Sequence, residues 1–244
     1  MNMAVDTSVI AGASVDQSTR DPVPLLQSGD RLTRREFERR YARMPHTKKA
    51  ELIEGVVYLA SPLSADHGRP HSSIMTWLGM YKIATPGADL LDNTSTRLDS
   101  DNEVQPDAML RLDENVGGQT RIIDGFVEGP PELVVEIAVS SAAIDLGDKK
   151  RAYRRAGVCE YVVWLIYEQR IDWFVLSDGE YVSLSPDASG LLRSQFFPGL
   201  WLNADAALKD DFATVLSALQ QGLSSAEHTA LIERLKDRSK QVRL

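Results

Sequence analysis

One residue restricts this chain more than any other. Glu136 sits inside the run 132–139, which reads Glu-Leu-Val-Val-Glu-Ile-Ala-Val and otherwise has the pattern of a buried β-strand. An unpaired carboxylate there would either neutralise itself or destabilise the fold. The remedies are a cation, a buried hydrogen-bond network or a metal, so the fold must bring one of these to the strand. Alternation puts Val134, Glu136 and Ala138 on one face of it and Leu133, Val135, Ile137 and Val139 on the other.

The 244 residues suffice for one good hydrophobic core and do not demand two domains. No apolar run approaches the length of a bilayer span, and no basic segment followed by an apolar stretch marks a secretory leader. A single cysteine, Cys159, excludes an internal disulfide framework and a cysteine-rich zinc site. These features predict a cytoplasmic protein without a membrane partner. The net charge of −8 argues against nucleic acid until its distribution is examined. Residues 31–49 hold eight Lys/Arg against two Glu, and Lys149, Lys150, Arg151, Arg154 and Arg155 crowd a second segment.

Residues 1–28 are small and polar and predict a loosely attached arm; 29–204 form the main domain and 205–244 a helical tail. Thr33 and Glu36 have capping-box spacing, predicting a helix to about 44 that Pro45 closes. A strand over 51–60 turns at Gly55. A helix over 71–83 follows from apolar residues at Ile74, Trp77, Leu78 and Tyr81. Strands are predicted over 89–98, 107–112 and 132–139, with a Gly-rich loop over 113–130. A helix over 144–156 ends before Gly157. Hairpins follow over 159–184, then helices over 205–221 and 225–240. Trp164, Trp173, Phe174 and Trp201 read as core. The sum is a mixed α/β fold with a sheet built largely from hairpins, and its edges and C-terminal helices are compatible with a homodimer.

The chemistry lies in an order: Asp107 after Pro106, then Glu136 on its strand, then lysine. That is the layout of a metal-dependent site that cleaves phosphodiesters. Such a site often has its lysine two residues after the glutamate, where this chain has Ala138. Asp145, Lys149 and Tyr153 are spaced to share a helix face, so Lys149 could return an ammonium to the same place. Asp107 and Glu136 could hold Mg²⁺, with Mn²⁺ as a substitute, and Glu51 is a third candidate acid for metal or water. His67 and His71 have zinc-pair spacing, but Gly68 and Pro70 disfavour one continuous helix there. Two rival readings remain: a protein of the same fold that binds nucleic acid or a partner without cutting, and one whose acids merely pair with Arg151 or Arg154.

Glu51-Leu52-Ile53-Glu54-Gly55, Ser61-Pro62, His67, Gln105-Pro106-Asp107, Pro131-Glu132-Leu133-Val134-Val135-Glu136, Asp145, Lys149, Tyr153 and Gly157-Val158-Cys159-Glu160-Tyr161 occur in this order. Together they resemble the Uma-two family of putative restriction endonucleases, within the PD-(D/E)XK nuclease superfamily, over roughly residues 33–204. The resemblance implies a restriction-endonuclease-like core, a mixed sheet flanked by helices, and metal-dependent cleavage of DNA. It matches Asp107 and Glu136 to metal-binding acids, Lys149 to a relocated lysine and Glu51 to an N-terminal acid. The chain departs from the family at Ala138-Val139-Ser140-Ser141, where Leu-Ser-Pro-Ser is common, at Glu54 for Asp and at Cys159 for Pro. The segment from there to Asp145 is also one residue shorter than in the family. No matched acid or lysine is lost.

Overall fold

The apolar run around Glu136 becomes an inner strand of a six-stranded mixed sheet. A computed structural model describes residues 23–241. In chain order these form α1 (Arg34–Tyr41), β1 (Ala50–Ile53), β2 (Val56–Leu59), α2 (Ala65–Ala84), β3 (Ala88–Asp92), β4 (Thr96–Arg97) and β5 (Glu103–Val104). Next come β6 (Ala108–Leu112), a 3-10 turn Glu114–Val116, β7 (Arg121–Ile123), β8 (Phe126–Glu128) and β9 (Leu133–Ala138). A short helix α3 (Ala142–Ile144), a π-turn Asp145–Lys149 and α4 (Lys150–Ala156) lead to β10 (Glu160–Leu165), β11 (Arg170–Ser177) and β12 (Glu180–Ser183). The chain continues through β13 (Leu191–Arg193), β14 (Trp201–Asn203), α5 (Ala204–Leu208), α6 (Phe212–Leu223) and α7 (Ala226–Gln241).

The main sheet has the order β12-β11-β10-β9-β6-β3, and only its β9–β10 pair is parallel. The α3–α4 segment is the crossover that a parallel pair requires. A second sheet, β2-β1-β5-β4-β8-β7, and the β13–β14 hairpin complete the mixed α/β architecture. Alternation along β9 holds: Leu133, Val135 and Ile137 join one core cluster, while Val134 and Ala138 join another with Tyr153 and Tyr161. Glu136 therefore shares its face with the second cluster.

The N-terminal arm of residues 1–28 falls mostly outside the described residues. Its described end is anchored, because Leu26 is buried with Phe37, Leu52 and Val57. The C-terminal helices are no detached tail. Val215, Leu219, Leu231 and Leu235 are buried in the same cluster as Trp77 and Tyr81 of α2. Gly222 of α6 lies so close to the preceding loop that a Cβ there would sit 2.2 Å from the Gly199 carbonyl oxygen. The helix predicted over 205–221 is two helices, because Asp210 adopts positive φ and Asp211 caps α6 by accepting from Thr214 N.

Other differences have local causes. Thr33 is the N-cap of α1 without a side-chain cap bond, and the Glu36 side chain turns to Arg39 and Arg40 rather than back to Thr33. The Gly-rich loop contains the β7–β8 hairpin. The strand expected over 89–98 breaks at Asn93, which has positive φ. α2 runs unbroken through Gly68 and Pro70. Pro70 lies in its second turn, where it removes a single main-chain bond.

Candidate functional site

Two adjacent strands set the acids face to face. β6 and β9 pair with Ala108 opposite Val135, and one further step of that register sets Asp107 opposite Glu136. Opposed residues of an antiparallel pair project from the same face. The main chain adds a link, since Ile137 N–H donates to Asp107 Oδ2 at 2.8 Å. β1 supplies Glu51, whose Oε1 accepts from Gln105 N–H at 2.8 Å. The strand alternation that turns Glu51 inward also turns in Lys49 and Ile53, and all three line one cavity.

Lys149 closes the π-turn, a wide turn that often marks functional sites. Its Nζ lies 2.9 Å from Glu136 Oε1, 3.0 Å from Glu51 Oε1 and 3.8 Å from Asp145 Oδ1. Tyr153 OH donates to the same Glu136 oxygen at 2.8 Å. The turn is pinned by Tyr161 OH on the Asp145 carbonyl at 3.1 Å and by Ser141 Oγ on Asp145 Oδ2 at 2.5 Å. Ala138 is fully buried in an apolar cluster, so a lysine there would have no space.

The expected residues Asp107, Glu136, Lys149 and Glu51 thus come together around a cavity of about 450 Å³. Three more side chains meet Asp107. Lys49 Nζ approaches Asp107 Oδ1 to 3.3 Å; the period-two spacing to Glu51 was the signal for it. His67 Nε2–H donates to Asp107 Oδ2 at 3.0 Å, and His71 Nε2–H to the Asp107 carbonyl at 2.9 Å. The two histidines converge on an aspartate, and among the described residues no group of three or more His, Cys, Asp or Glu forms a ready metal cage.

Four carboxylates, Glu51, Asp107, Glu136 and Asp145, face two ammoniums, Lys49 and Lys149. Fully ionised, the set carries two excess negative charges. Burial pushes Glu136 up to about 8 against the pull of Lys149, and Asp107, Asp145 and Glu51 add to the rise. Burial also raises Asp145, with Lys149 and Ser141 opposing. Burial would lift Asp107 too, but the His67 hydrogen bond and the Lys49 charge hold it well below the ordinary carboxylate range. For Lys149 burial works against the charge, yet Glu136, Glu51, Asp145 and Asp107 keep its ammonium far above the usual lysine value. Hard oxygen donors that outnumber the ammoniums suit a divalent cation such as Mg²⁺, which is commonly held by one or two carboxylates and keeps several waters.

The basic segments are less available than their composition promised. Arg151 pairs with Asp148, Arg154 with Glu180 and Arg155 with Glu54. Lys150 Nζ lies 3.3 Å above the Phe174 ring. Arg39 and Arg40 both bond Glu36. Among the described residues no helix is long and apolar enough to cross a membrane.

The family model described as "Uma2: Putative restriction endonuclease" matches residues 34–205. No curated protein matches the chain. A crystal structure of a putative nuclease belonging to DUF820 from Anabaena variabilis is similar in fold, with a TM-score of 0.53 at 17% identity over 74% of this chain and 97% of that one.

Proposed function

Since the chain belongs to the Uma2 family of putative restriction endonucleases, we propose that it is a Mg²⁺-dependent endonuclease that hydrolyses DNA phosphodiester bonds in the cytoplasm. The observation that carries this reading is the opposed Asp107–Glu136 pair, with Lys149 at 2.9 Å from Glu136, at the base of an open cavity. Asp107 and Glu136 would hold the ion, with Glu51 as a third candidate acid on the same cavity. Bound there, Mg²⁺ supplies a Lewis acid for a phosphate oxygen and lowers the pKa of water.

The chain's own groups have separate tasks. Tyr153 and Lys149 fix the orientation of Glu136 through one of its oxygens. His67 and the Ile137 amide fix Asp107, and His67 with Lys49 keeps it ionised. Lys149 would stabilise negative charge that develops on phosphate, and Lys49 is a second ammonium lining the same cavity.

The second reading is a nuclease-fold protein that binds nucleic acid or a partner without cutting. It is favoured by the engagement of Lys149 with three carboxylates, which would make the cluster a self-satisfied structural network. Incubation of single-stranded, duplex and branched DNA with Mg²⁺, Mn²⁺ or EDTA separates the two. Metal-dependent products that vanish, by at least ~10²-fold, in Glu136→Gln support the enzyme. Intact DNA under every condition leaves the binding protein.

A further inference from the structure

The two lysines of the acid cluster are held very differently. Lys49 stands just before β1, and its carbonyl accepts from Ala60 N–H at 3.1 Å, so the β1–β2 hairpin fixes its main chain. Its side chain is looser. Nζ meets Asp107 Oδ1 at 3.3 Å, longer than the ~2.7–2.9 Å of a tight charged hydrogen bond, and among the described residues no other carboxylate pairs with it. The Lys49 side chain is 19% exposed and lines the cavity, against 4% for Lys149, which Glu136, Glu51 and Asp145 enclose. The oxygens of the acids divide in the same way. Asp107 Oδ2 is committed to the fold, accepting from Ile137 N–H at 2.8 Å and from His67 Nε2–H at 3.0 Å. Oδ1 accepts from Lys49 alone among the described residues. In Glu136, Lys149 and Tyr153 both hold Oε1 and leave Oε2 outside their bonds. Asp107 Oδ1 and Glu136 Oε2 are thus the oxygens left to ligate a cation, and Lys49 stands on the first of them.

We propose that Lys49 is a substrate contact held in reserve: it yields Asp107 Oδ1 to the divalent cation, and its ammonium passes to a non-bridging phosphate oxygen of the DNA. The inference rests on the nuclease reading and adds an order of events to it. An ammonium and a divalent cation on one carboxylate oxygen repel each other, and the one with the longer contact and the freer side chain gives way. The four-carbon lysine stem turns about its own bonds, so Lys49 can leave without any change in the hairpin. His67 keeps Asp107 ionised through the exchange, since its hydrogen bond lowers the Asp107 carboxyl more than the Lys49 charge does. A phosphate entering the cavity then supplies the anionic partner that Lys49 has lost. Lys149 keeps its place beside Glu136, because three carboxylates hold it.

The exchange is tested by isothermal titration calorimetry of the full chain with Mn²⁺, without DNA, for wild type, Lys49→Met and Lys49→Arg. Lys49→Met should bind Mn²⁺ about 5- to 150-fold more tightly, the usual span of a coupling between two sites. Lys49→Arg, which keeps the charge, should stay near wild type. A merely structural Lys49–Asp107 pair predicts the reverse, and Mn²⁺ binding in Lys49→Met that equals wild type or is weaker overturns the exchange. The transfer is tested by fluorescence anisotropy with a labelled 20-base-pair duplex in EDTA and in saturating Ca²⁺, the probe being checked for cleavage. Lys49→Met should bind DNA nearly as wild type does in EDTA and about 10- to 150-fold more weakly in Ca²⁺, the range for one hydrogen bond to a charged group. An equal loss in both conditions, or no binding in Ca²⁺, overturns the transfer. Glu136→Gln separates the two levels. Wild-type Mn²⁺ binding in that variant sinks the metal assignment and the nuclease reading with it, whereas Mn²⁺ binding lost in Glu136→Gln but not tightened in Lys49→Met sinks this inference alone.

Discussion

Replacing Lys149 with Met keeps a long, flexible side chain and deletes its charge. Glu136 and Glu51 then lose a cation that lay at 2.9 and 3.0 Å. At an effective dielectric near 20 each contact is worth roughly 5–6 kcal/mol before desolvation. Returning the ammonium to water offsets much of this, and loss of one partner from a buried ion pair nets about 3–5 kcal/mol. In a chain of this size that lowers Tm by roughly 6–20 °C. The loss must also depend on pH. Burial raises Glu136 in the folded state from 4.5 to about 8, so its contribution is fully present below pH 4.5 and is lost as pH rises through about 8. Without Lys149 that carboxyl is harder still to ionise, so the gap between Lys149→Met and wild type widens from pH 6 to pH 9. Urea unfolding at both pH values measures it. Lys150→Ala is the control, since its ammonium lies over the Phe174 ring outside the acid cluster and should cost about 0.5–1 kcal/mol. A loss below about 1 kcal/mol for Lys149→Met, flat with pH and equal to the control, would show that the acids are not held by this lysine, and the electrostatic account of the site would fail.

Asp107→Asn should destabilise the fold most near neutrality and progressively less as pH falls below 3.8. Asp107 titrates well below its ordinary 3.8, so its stabilisation is fully present above that value and declines as pH falls toward the folded pKa; a wild-type advantage undiminished between pH 6 and pH 2 would contradict this. Glu103 behaves in the opposite sense, because burial and the neighbouring Glu38 carboxyl push it up to about 7. Its contribution is lost as pH rises from 4.5 through 7, so Glu103→Gln should gain on the order of 1–3 kcal/mol over wild type between pH 5 and pH 8, and chemical denaturation at those two values would expose an absent gain. DNA affinity should fall only shallowly with salt, because Arg39, Arg40, Arg151, Arg154 and Arg155 already have carboxylate partners. A log–log slope steeper than about −5 would mean that these pairs open onto phosphates.

The sequence carried the acids because they are anomalies. A charge at Glu136 inside a buried strand, and Asp107 behind a proline, can be seen without a structure, and the period-two alternation of β9 aims Glu136 correctly. Lys149 and Tyr153 were legible as one face of a helix even though the turn that leads into them is wider than an α-turn. Lys49 was hidden among seven other basic residues over 31–49, although its spacing from Glu51 contained the answer. His67 was obscured by Gly68 and Pro70, which argue locally for a break that the packing of α2 against β3, β6 and β9 overrides. Two of the ion pairs that silence the basic clusters could not be read at all. Arg155 meets Glu54 across 101 positions of chain and Arg154 meets Glu180 across 26, and composition holds no record of such distances.

A π-turn stores a surplus residue. Excision of one residue between Asp145 and Lys149 would return the backbone to ordinary helical winding and leave α4 in place. Lys149 and Tyr153 would keep their approach to Glu136, whereas an excision from the α-helical turn after Lys149 would swing Tyr153 away by about 100°. A deletion should therefore be tolerated inside the π-turn and damaging one turn later. A scan for a fixed string of acid, any residue and lysine would stop at Ala138 and score this chain as broken, although an ammonium stands 2.9 Å from the carboxylate it was looking for.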